Sequence, residues 1–389
     1  MARTEPHKPR VLLITRNLPP LVGGMERLIL NAALGMRHYL DLTVIGPAGC
    51  EQHLPDDTTV FTAPSSLAGF MSSGLAHVLR HCRRDRFELI VGGSGLAAPL
   101  VALARRLCGA RSLIFLHGLD LVVNSKPYQW LFLPSIRNAD HLIANSENTR
   151  QLATGRGVQP ARITVINPGT DLPSGLDEEQ IAAFRERHAI PFERYLLFAG
   201  RLTKRKGLSH FLRHGLPRVL EATKGVGMLV VGENPSDGLT RNGDQGETLK
   251  AVEALQLAPH IHFVGAVDDD DMWLAFASSA AHVFPLVEVP GDVEGFGMVA
   301  VEAAASGTPT FAFDLGGVAD AVSAGSGRLL PAGDYEGLAD AIIQDLQVPT
   351  FTADACRDHA SRYAWPHYQS SLEQAISALL GQPQGAPRA

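Results

Sequence analysis

The residues best suited to chemistry lie in one stretch, VFPLVEVPGDVEGFGMVAVEAAASGTPTFAFDLGG, from Val283 to Gly317. A strand ending near Pro285 leads through a loop to Gly295-Phe296-Gly297, which opens a helix. Glu294 immediately precedes the helix and Glu302 lies eight residues on, about two turns inside it. Glycines let backbone amides approach a ligand, and a helix N-terminus offers unpaired N–H donors that favour phosphate. Glu302 is then placed to accept from ribose hydroxyls and Glu294 from those of a sugar. On an exposed amphipathic helix two glutamates would carry no such meaning. Ala300, Val301 and Ala303 to Ala305 make this helix apolar almost all round, which argues that it is buried and that its glutamate needs partners.

A second constellation, GRLTKRKG from Gly200 to Gly207, follows the apolar run YLLFA. Arg201 and Lys206 flank the turn into the next helix, and a planar guanidinium with a compact ammonium suits a diphosphate. Cations at a helix start oppose its dipole, so the cluster calls for an anion; the alternative is a basic turn facing solvent. Gly23-Gly24, within PPLVGGME, forms a loop between the first strand and first helix. It lacks the third glycine of a GxGxxG fingerprint, which disfavours a nicotinamide site. His117 and Asp120 follow the strand SLIFL; a lone histidine there is commonly structural, but it shares the carboxyl edge with the other motifs. Asn145-Ser146-Glu147 and Asn167 to Asp171 read as a helix cap and a turn. Asp268 to Asp271 invites a divalent metal, yet it directly precedes a helix, where capping is the commoner role. No serine or cysteine stands out beside a base, and HExxH is absent.

The elements that position these residues read as strands alternating with helices. In the first half, Val11–Thr15, Leu42–Ile45, Leu89–Val91, Ser112–Leu116, His141–Ala144 and Ile163–Ile166 are short apolar strands. Met25–His38, Leu67–Cys82 and Leu96–Leu107 are amphipathic connections. Gly169 to Asp177 is a polar linker. The rhythm then restarts, with strands at Tyr195–Ala199, Val226–Val231, Ile261–Val264, Ala281–Pro285 and Thr308–Ala312. Helices are expected at Leu208–Glu221, Gly246–Leu255, Asp269–Ser278 and Val299–Ala305. Near-continuous apolar strands with helical crossovers predict α/β units with parallel sheets. The expected division is an N-terminal Rossmann-like domain over 1–172 and a sugar-nucleotide domain over 173–364, facing across a cleft. A final helix and tail over 365–389 is expected to pack back on the first domain, the tail itself being disordered.

The chain has 389 residues, 45% hydrophobic and 19% charged, an ordinary globular balance with room for two cores. Its formal charge of −6 argues against a nucleic-acid partner. Arg80, Arg83, Arg84, Arg86, Arg105 and Arg106 crowd together, either as a solvated helix face or as a contact for an anionic membrane. Four separated cysteines without a CxxC fit a reducing cytoplasm and give no zinc site. No signal core or membrane-length apolar run is present, so a cytoplasmic protein, at most peripheral at the inner face of the membrane, is expected.

Taken together, GGME, His117-Gly118, NPGTD, GRLTKRKG and the Glu294-x7-Glu302 block resemble glycosyltransferase family 4, the retaining group with the GT-B fold. The likeness covers most of the chain, and GDVEGFGMV further resembles bacterial phosphatidylinositol mannosyltransferases, which use GDP-mannose. The resemblance implies that Arg201 and Lys206 bind the donor diphosphate, helped by the amides of Phe296, Gly297, Met298 and Val299. It implies Glu302 on the ribose, Glu294 on the donor sugar, and His117 near the reacting carbon. Gly23 and Gly24 would line the phosphate and acceptor side, and the backbone from Gly265 to Val267 would read the base. It also implies front-face attack with retention, in which the leaving diphosphate takes the acceptor proton, without a metal or other cofactor. The long polar loop Pro235–Gly246 departs from the family pattern and is placed to alter the donor-site rim. The expected activity moves a hexose from GDP-mannose or a UDP-hexose to a lipid-linked or polysaccharide acceptor, in bacterial cell-envelope or exopolysaccharide synthesis. The alternatives are a GT-B UDP-sugar epimerase, an inactive sugar-nucleotide-binding subunit and, more distantly, a nicotinamide oxidoreductase.

Overall fold

The computed structural model describes residues 8–233 and 243–381. The loop expected at Pro235–Gly246 lies, up to Asn242, outside the described residues, as does the tail from Gln382. The chain forms two compact units: Met1–Gly169 with Trp365–Ala389, and Thr170–Ala364.

In the first unit the strands are β1 (Arg10–Ile14), β2 (Asp41–Pro47), β3 (Thr59–Ala63), β4 (Leu89–Gly92), β5 (Arg111–Leu116), β6 (His141–Ala144) and β7 (Ile163–Val165). All pair in parallel in the order β3-β2-β1-β4-β5-β6-β7. The connections are α1 (Gly24–Met36), α2 (Leu67–His81), α3 (Ala98–Cys108), α4 (Leu119–Val122), α5 (Leu133–Arg137) and α6 (Glu147–Gly155). Val11 to Ile14 and Leu89 to Val91 are wholly buried, as runs covered on both faces must be. Strand β3 escapes the sequence reading because TVFTA is a half-buried edge strand with two threonines.

The second unit repeats the plan with β8 (Arg194–Ala199), β9 (Val226–Val231), β10 (Ile261–Gly265), β11 (Ala281–Phe284), β12 (Thr310–Phe313) and β13 (Gly327–Leu330), in the order β10-β9-β8-β11-β12-β13. Its helices are α7 (Glu178–Arg187), α8 (Leu208–His214), α9 (Leu216–Ala222), α10 (Gln245–Ala254), α11 (Asp269–Ala277), α12 (Met298–Ala305), α13 (Val318–Ala321), α14 (Tyr335–Gln347) and α15 (Ala353–Ser361). The single helix expected over Leu208–Glu221 is in fact two, broken at Gly215, because Pro217 has no N–H to continue the ladder. The expected linker, Gly169 to Asp177, is free of helix and strand apart from a bridge at Thr170, and it ends in an Asp177–Gln180 capping box that opens α7, a helix the sequence reading did not assign. Phe198, Phe211, Phe276, Phe284, Phe311 and Phe313 are essentially fully buried, each contributing roughly 2 kcal/mol.

The last helix, α16 (Trp365–Leu380), packs on α1 within the first unit, where Gln369 Nε2 donates to the Asn31 carbonyl at 3.5 Å. Among the described residues no helix is long and apolar enough to cross a membrane.

Each sheet reverses its strand order once, between β1 and β4 and between β8 and β11. Open α/β sheets bind ligands at the carboxyl end of such a reversal, which directs attention to the loops leaving these four strands.

Candidate active site

In the second unit the loops after β8 and β11 are laced together. The chain leaves β8 through Gly200 and turns at Lys204–Lys206 into α8. Gly207 adopts φ +73°, and a Cβ there would collide with the Pro285 carbonyl, so only glycine lets the two loops meet this closely. The Val287 N–H donates to the Arg205 carbonyl at 2.8 Å across the same seam.

The seam carries a compact charge cluster. Lys206 Nζ lies 2.7 Å from Glu294 Oε2 and 4.5 Å above the Phe284 ring centroid. Arg205 reaches the same Glu294 carboxylate and places Nε 3.1 Å from Asp292 Oδ1. Burial alone would raise the Glu294 pKa, but Arg205 and Lys206 overcome it and hold the carboxyl at about 2. Burial pushes the Lys206 ammonium below its usual range, partly offset by Glu294 and aided by repulsion from Arg205 and Arg201. Arg205 is itself raised, because attraction to Glu294 and Asp292 outweighs its desolvation. Beneath Lys206, His282 is fully buried and held neutral, lowered to about 3 by burial and then by the Lys206 charge.

Helix α12 begins against this cluster. Gly297, at φ +94°, precedes its first residue, and a Cβ on it would sit 3.1 Å from the Phe284 ring that also carries Lys206. Phe296 is buried, while Met298 and Val299 form the half-buried first turn, whose amides have no partner inside the helix. Glu302 is buried in the second turn, as the apolar surroundings predict. Gly317 N–H donates to the Glu294 carbonyl at 2.9 Å and fixes the loop from behind. On the other side, Gly265 ends β10 and its carbonyl accepts from Gly232 N–H at 2.8 Å, with Val267 half-buried just beyond.

The structure thus brings together Lys206, Glu294 and the start of α12, and the two cations expected to clamp a diphosphate differ in their surroundings. Arg201 is exposed and has no recorded side-chain partner among the described residues, whereas Lys206 is already engaged by a carboxylate. Glu294, expected to face sugar hydroxyls, has Oε2 taken by two cations. Arg205 and Asp292 were not singled out by the motifs, since their pairing spans 87 positions and leaves no local signal.

In the first unit the corresponding edge is built differently. Gly23 precedes α1 and Gly24 is its first residue; a Cβ on Gly23 would sit 2.5 Å from Glu26 Oε2. Glu26 is buried and accepts from Asn17 Nδ2 at 2.9 Å. His117, 5% exposed, donates from Nε2 to the Gly93 carbonyl at 2.8 Å. Its Nδ1 is buried without a partner among the described residues. Asp120 accepts from His117 N–H at 2.8 Å and Gly95 N–H at 3.1 Å, tying the loops after β4 and β5 together. Burial raises the Asp120 pKa, with the neighbouring His117 acting in the opposite sense.

Ser146 caps α6, accepting from Thr149 N–H at 3.1 Å. Asp268 caps α11 through Asp271 N–H at 2.8 Å, and Asp271 pairs with Arg187 and His188, so these two members of the acidic run are held by a cap and by side-chain pairs while Asp269 and Asp270 are exposed. Of the first arginine cluster, Arg105 is committed to Asp140 at 2.6 Å, while Arg80, Arg83, Arg84, Arg86 and Arg106 are exposed at or just beyond the ends of α2 and α3.

Comparison with known proteins agrees with this architecture. Residues 193–347 match a family model described as glycosyl transferases group 1, and residues 22–173 one described as glycosyltransferase family 4. A D-inositol 3-phosphate glycosyltransferase 2 of Catenulispora acidiphila is 32% identical over 322 residues, covering 78% of this chain and 73% of that one. A D-inositol 3-phosphate glycosyltransferase of Nocardia farcinica is 29% identical over 257 residues, and the match spans 64% of this chain but 55% of that protein's length. Among solved structures, Anabaena HepE in complex with UDP and glucose superposes with a TM-score of 0.77 at 20% identity, covering 96% of this chain and 100% of HepE. With two Rossmann-like units of the GT-B kind, the chain belongs to glycosyltransferase family 4.

Proposed function

We propose that the protein is a retaining hexosyltransferase that takes its sugar from a nucleoside diphosphate and delivers it to a hydroxyl-bearing acceptor, lipid-linked or polysaccharide, in bacterial envelope or exopolysaccharide synthesis. The observation that carries this reading is the meeting of Lys206, Glu294 and the first turn of α12 at the strand-order reversal of the second sheet. Lys206 and Arg201 take the diphosphate, the first-turn amides of α12 add donors, and Glu302 holds the ribose. Glu294 orients Lys206 and the donor sugar, and Gly265 to Val267 lie beside the base. His117, with Nε2 tied to Gly93, presents Nδ1 as an acceptor for a sugar hydroxyl.

Charge builds on the leaving diphosphate as the glycosidic bond breaks, and the protein's task is to stabilise that charge. The leaving oxygen takes the acceptor proton, so the reaction calls for neither a protein nucleophile nor a metal cofactor. GDP-mannose remains a donor candidate through the GDVEGFGMV loop, while the UDP held by HepE favours a UDP-hexose. The names of the relatives make D-inositol 3-phosphate the first acceptor to offer. Peripheral contact with anionic lipid, through Arg80, Arg83, Arg84, Arg86 and Arg106, belongs to the same reading.

The test is product formation from UDP-glucose or GDP-mannose with D-inositol 3-phosphate or a lipid-linked glycan, with the anomeric configuration read by NMR. Transfer with inversion, or none with any donor, would refute the proposal. UDP-GlcNAc epimerised without an acceptor would establish the rival epimerase, and tight nucleotide binding without turnover the inactive subunit.

A further inference from the structure

Arg205 is the one arginine or lysine among the described residues that is buried outright, yet the donor reading gives it no ligand to hold. Its guanidinium is spent on Asp292 and Glu294, and its own carbonyl is tied to Val287. Lys206 shares the same Glu294 oxygen at 2.7 Å. A diphosphate gripped by Lys206 competes directly with that carboxylate. A buried carboxylate abandoned by its cation is strongly disfavoured and takes up a proton instead. Two cations on one carboxylate remove the difficulty, because one can leave while the other stays.

We propose that Arg205 is a positioning residue of the donor site, the resident counter-charge that remains on Glu294 and Asp292 while Lys206 passes from Glu294 to the donor diphosphate. The inference rests on the nucleoside-diphosphate reading above and deepens it. The charged groups around Glu294 are Arg205 and Lys206 from the β8–α8 loop, Asp292 on its own loop, and Arg201 and the neutral His282 beyond Lys206. The Leu315–Gly317 loop behind it brings no charge.

Without Arg205, engagement of Lys206 by phosphate leaves Glu294 alone, so its pKa rises in the complex and binding becomes linked to proton uptake. With Arg205 present, Glu294 stays ionised in both states and no linkage arises from it. The experiment is calorimetric titration of UDP and GDP into the full chain, for wild type, Arg205→Met, Arg205→Lys and Lys206→Met, from pH 5.5 to 8 in buffers of differing ionisation enthalpy. The terminal phosphate titrates near pH 6 itself, so the ratio of variant to wild type is read.

Arg205→Met is expected to bind weakest at pH 8 and to recover by up to about tenfold per pH unit on acidification, with nearly one extra proton taken up. Arg205→Lys restores the wild-type profile. Lys206→Met weakens binding without the linkage, because Glu294 keeps Arg205. If Arg205→Met does not fold, Arg205→Gln carries the same expectation. Wild-type affinity in Arg205→Met without extra proton uptake overturns the inference alone. So does a pH-independent loss that Arg205→Lys fails to relieve, the behaviour of a simple brace. A wild-type chain that binds neither nucleotide removes the donor-site reading and this inference together.

Discussion

The two strand-order reversals share a backbone plan and differ in how their polar groups are satisfied. Around β8 and β11, Arg205 and Lys206 neutralise Asp292 and Glu294 before any ligand arrives. Around β1, β4 and β5 the buried polar atoms are left short: Asn17 Oδ1, Ser94 Oγ, His117 Nδ1 and Tyr128 OH have no partner among the described residues. The second unit also leaves Thr203 Oγ1 and His282 Nε2 without a partner among the described residues, but a ligand that takes Lys206 must displace Glu294, whereas one that meets His117 Nδ1 supplies what is missing. The former suits an anion recognised by exchange of ion pairs; the latter suits a ligand rich in hydroxyls, since each unfilled buried group costs about 1–3 kcal/mol.

Removing the exchanging cation should have the largest effect. Lys206→Ala is expected to lower turnover by about 10²–10³-fold, as loss of one preorganised charge does, and Arg201→Ala, though exposed, by a similar order. Steady-state kinetics on folded variants would check this; full activity in either breaks the assignment of that residue.

Acid should separate the two units. Glu294 is held at about 2 against an ordinary 4.5. Its contribution, about 3 kcal/mol, is therefore present above pH 4.5 and lost as pH falls toward 2. Asp120 is shifted the other way, so its contribution is greatest in acid and declines as pH rises through its folded-state pKa. Hydrogen exchange at pH 3 and pH 6 should show the β8–β11 region loosening in acid, with Glu294→Gln abolishing the dependence. That variant should also be less stable by about 3–5 kcal/mol, having left the Lys206 ammonium without its carboxylate while Arg205 keeps Asp292.

The comparison sharpens with His117→Ala, expected to cut turnover about 10²-fold, the lower end for loss of one preorganised hydrogen-bond partner, while nucleotide affinity stays near wild type. An equal loss of nucleotide binding would assign His117 to the wrong ligand. Gly207→Ala, which forces a Cβ toward the Pro285 carbonyl at positive φ, should cost roughly 1–3 kcal/mol in chemical denaturation. The smallest effect per residue concerns the arginines at or beyond the end of α2: removing the charge of any one of Arg80, Arg83, Arg84 and Arg86 should weaken binding to anionic vesicles by about 1 kcal/mol. Co-sedimentation insensitive to lipid charge would remove the membrane from the picture.

What the sequence disclosed followed the reach of its signals. Strand–glycine–helix junctions are local, so the loops at Gly200 and Gly295 were legible, as was the burial of α12 from its alanines. The helix break was missed although Pro217 stands in plain view, because the apolar periodicity of Leu208, Phe211 and Leu212 masks it. Helix α14 carries an equally clear apolar spacing at Leu338, Ala339 and Ile342 that went unassigned. The role of Arg205 was not readable at all: in GRLTKRKG it is one of four cations, and only folding shows which of them meets Asp292.

The chain passes from the first unit to the second after Gly169 and returns after Ala364. Within the second unit its two ends lie side by side, Thr170 N–H donating to the Tyr363 carbonyl at 2.7 Å and Thr170 bridging Ala364. The second unit is thus an insert with abutting ends, an arrangement that tolerates excision and re-splicing. Expressing residues 170–364 alone, and splicing Gly169 to Trp365 in the remainder, would let each unit be assayed separately.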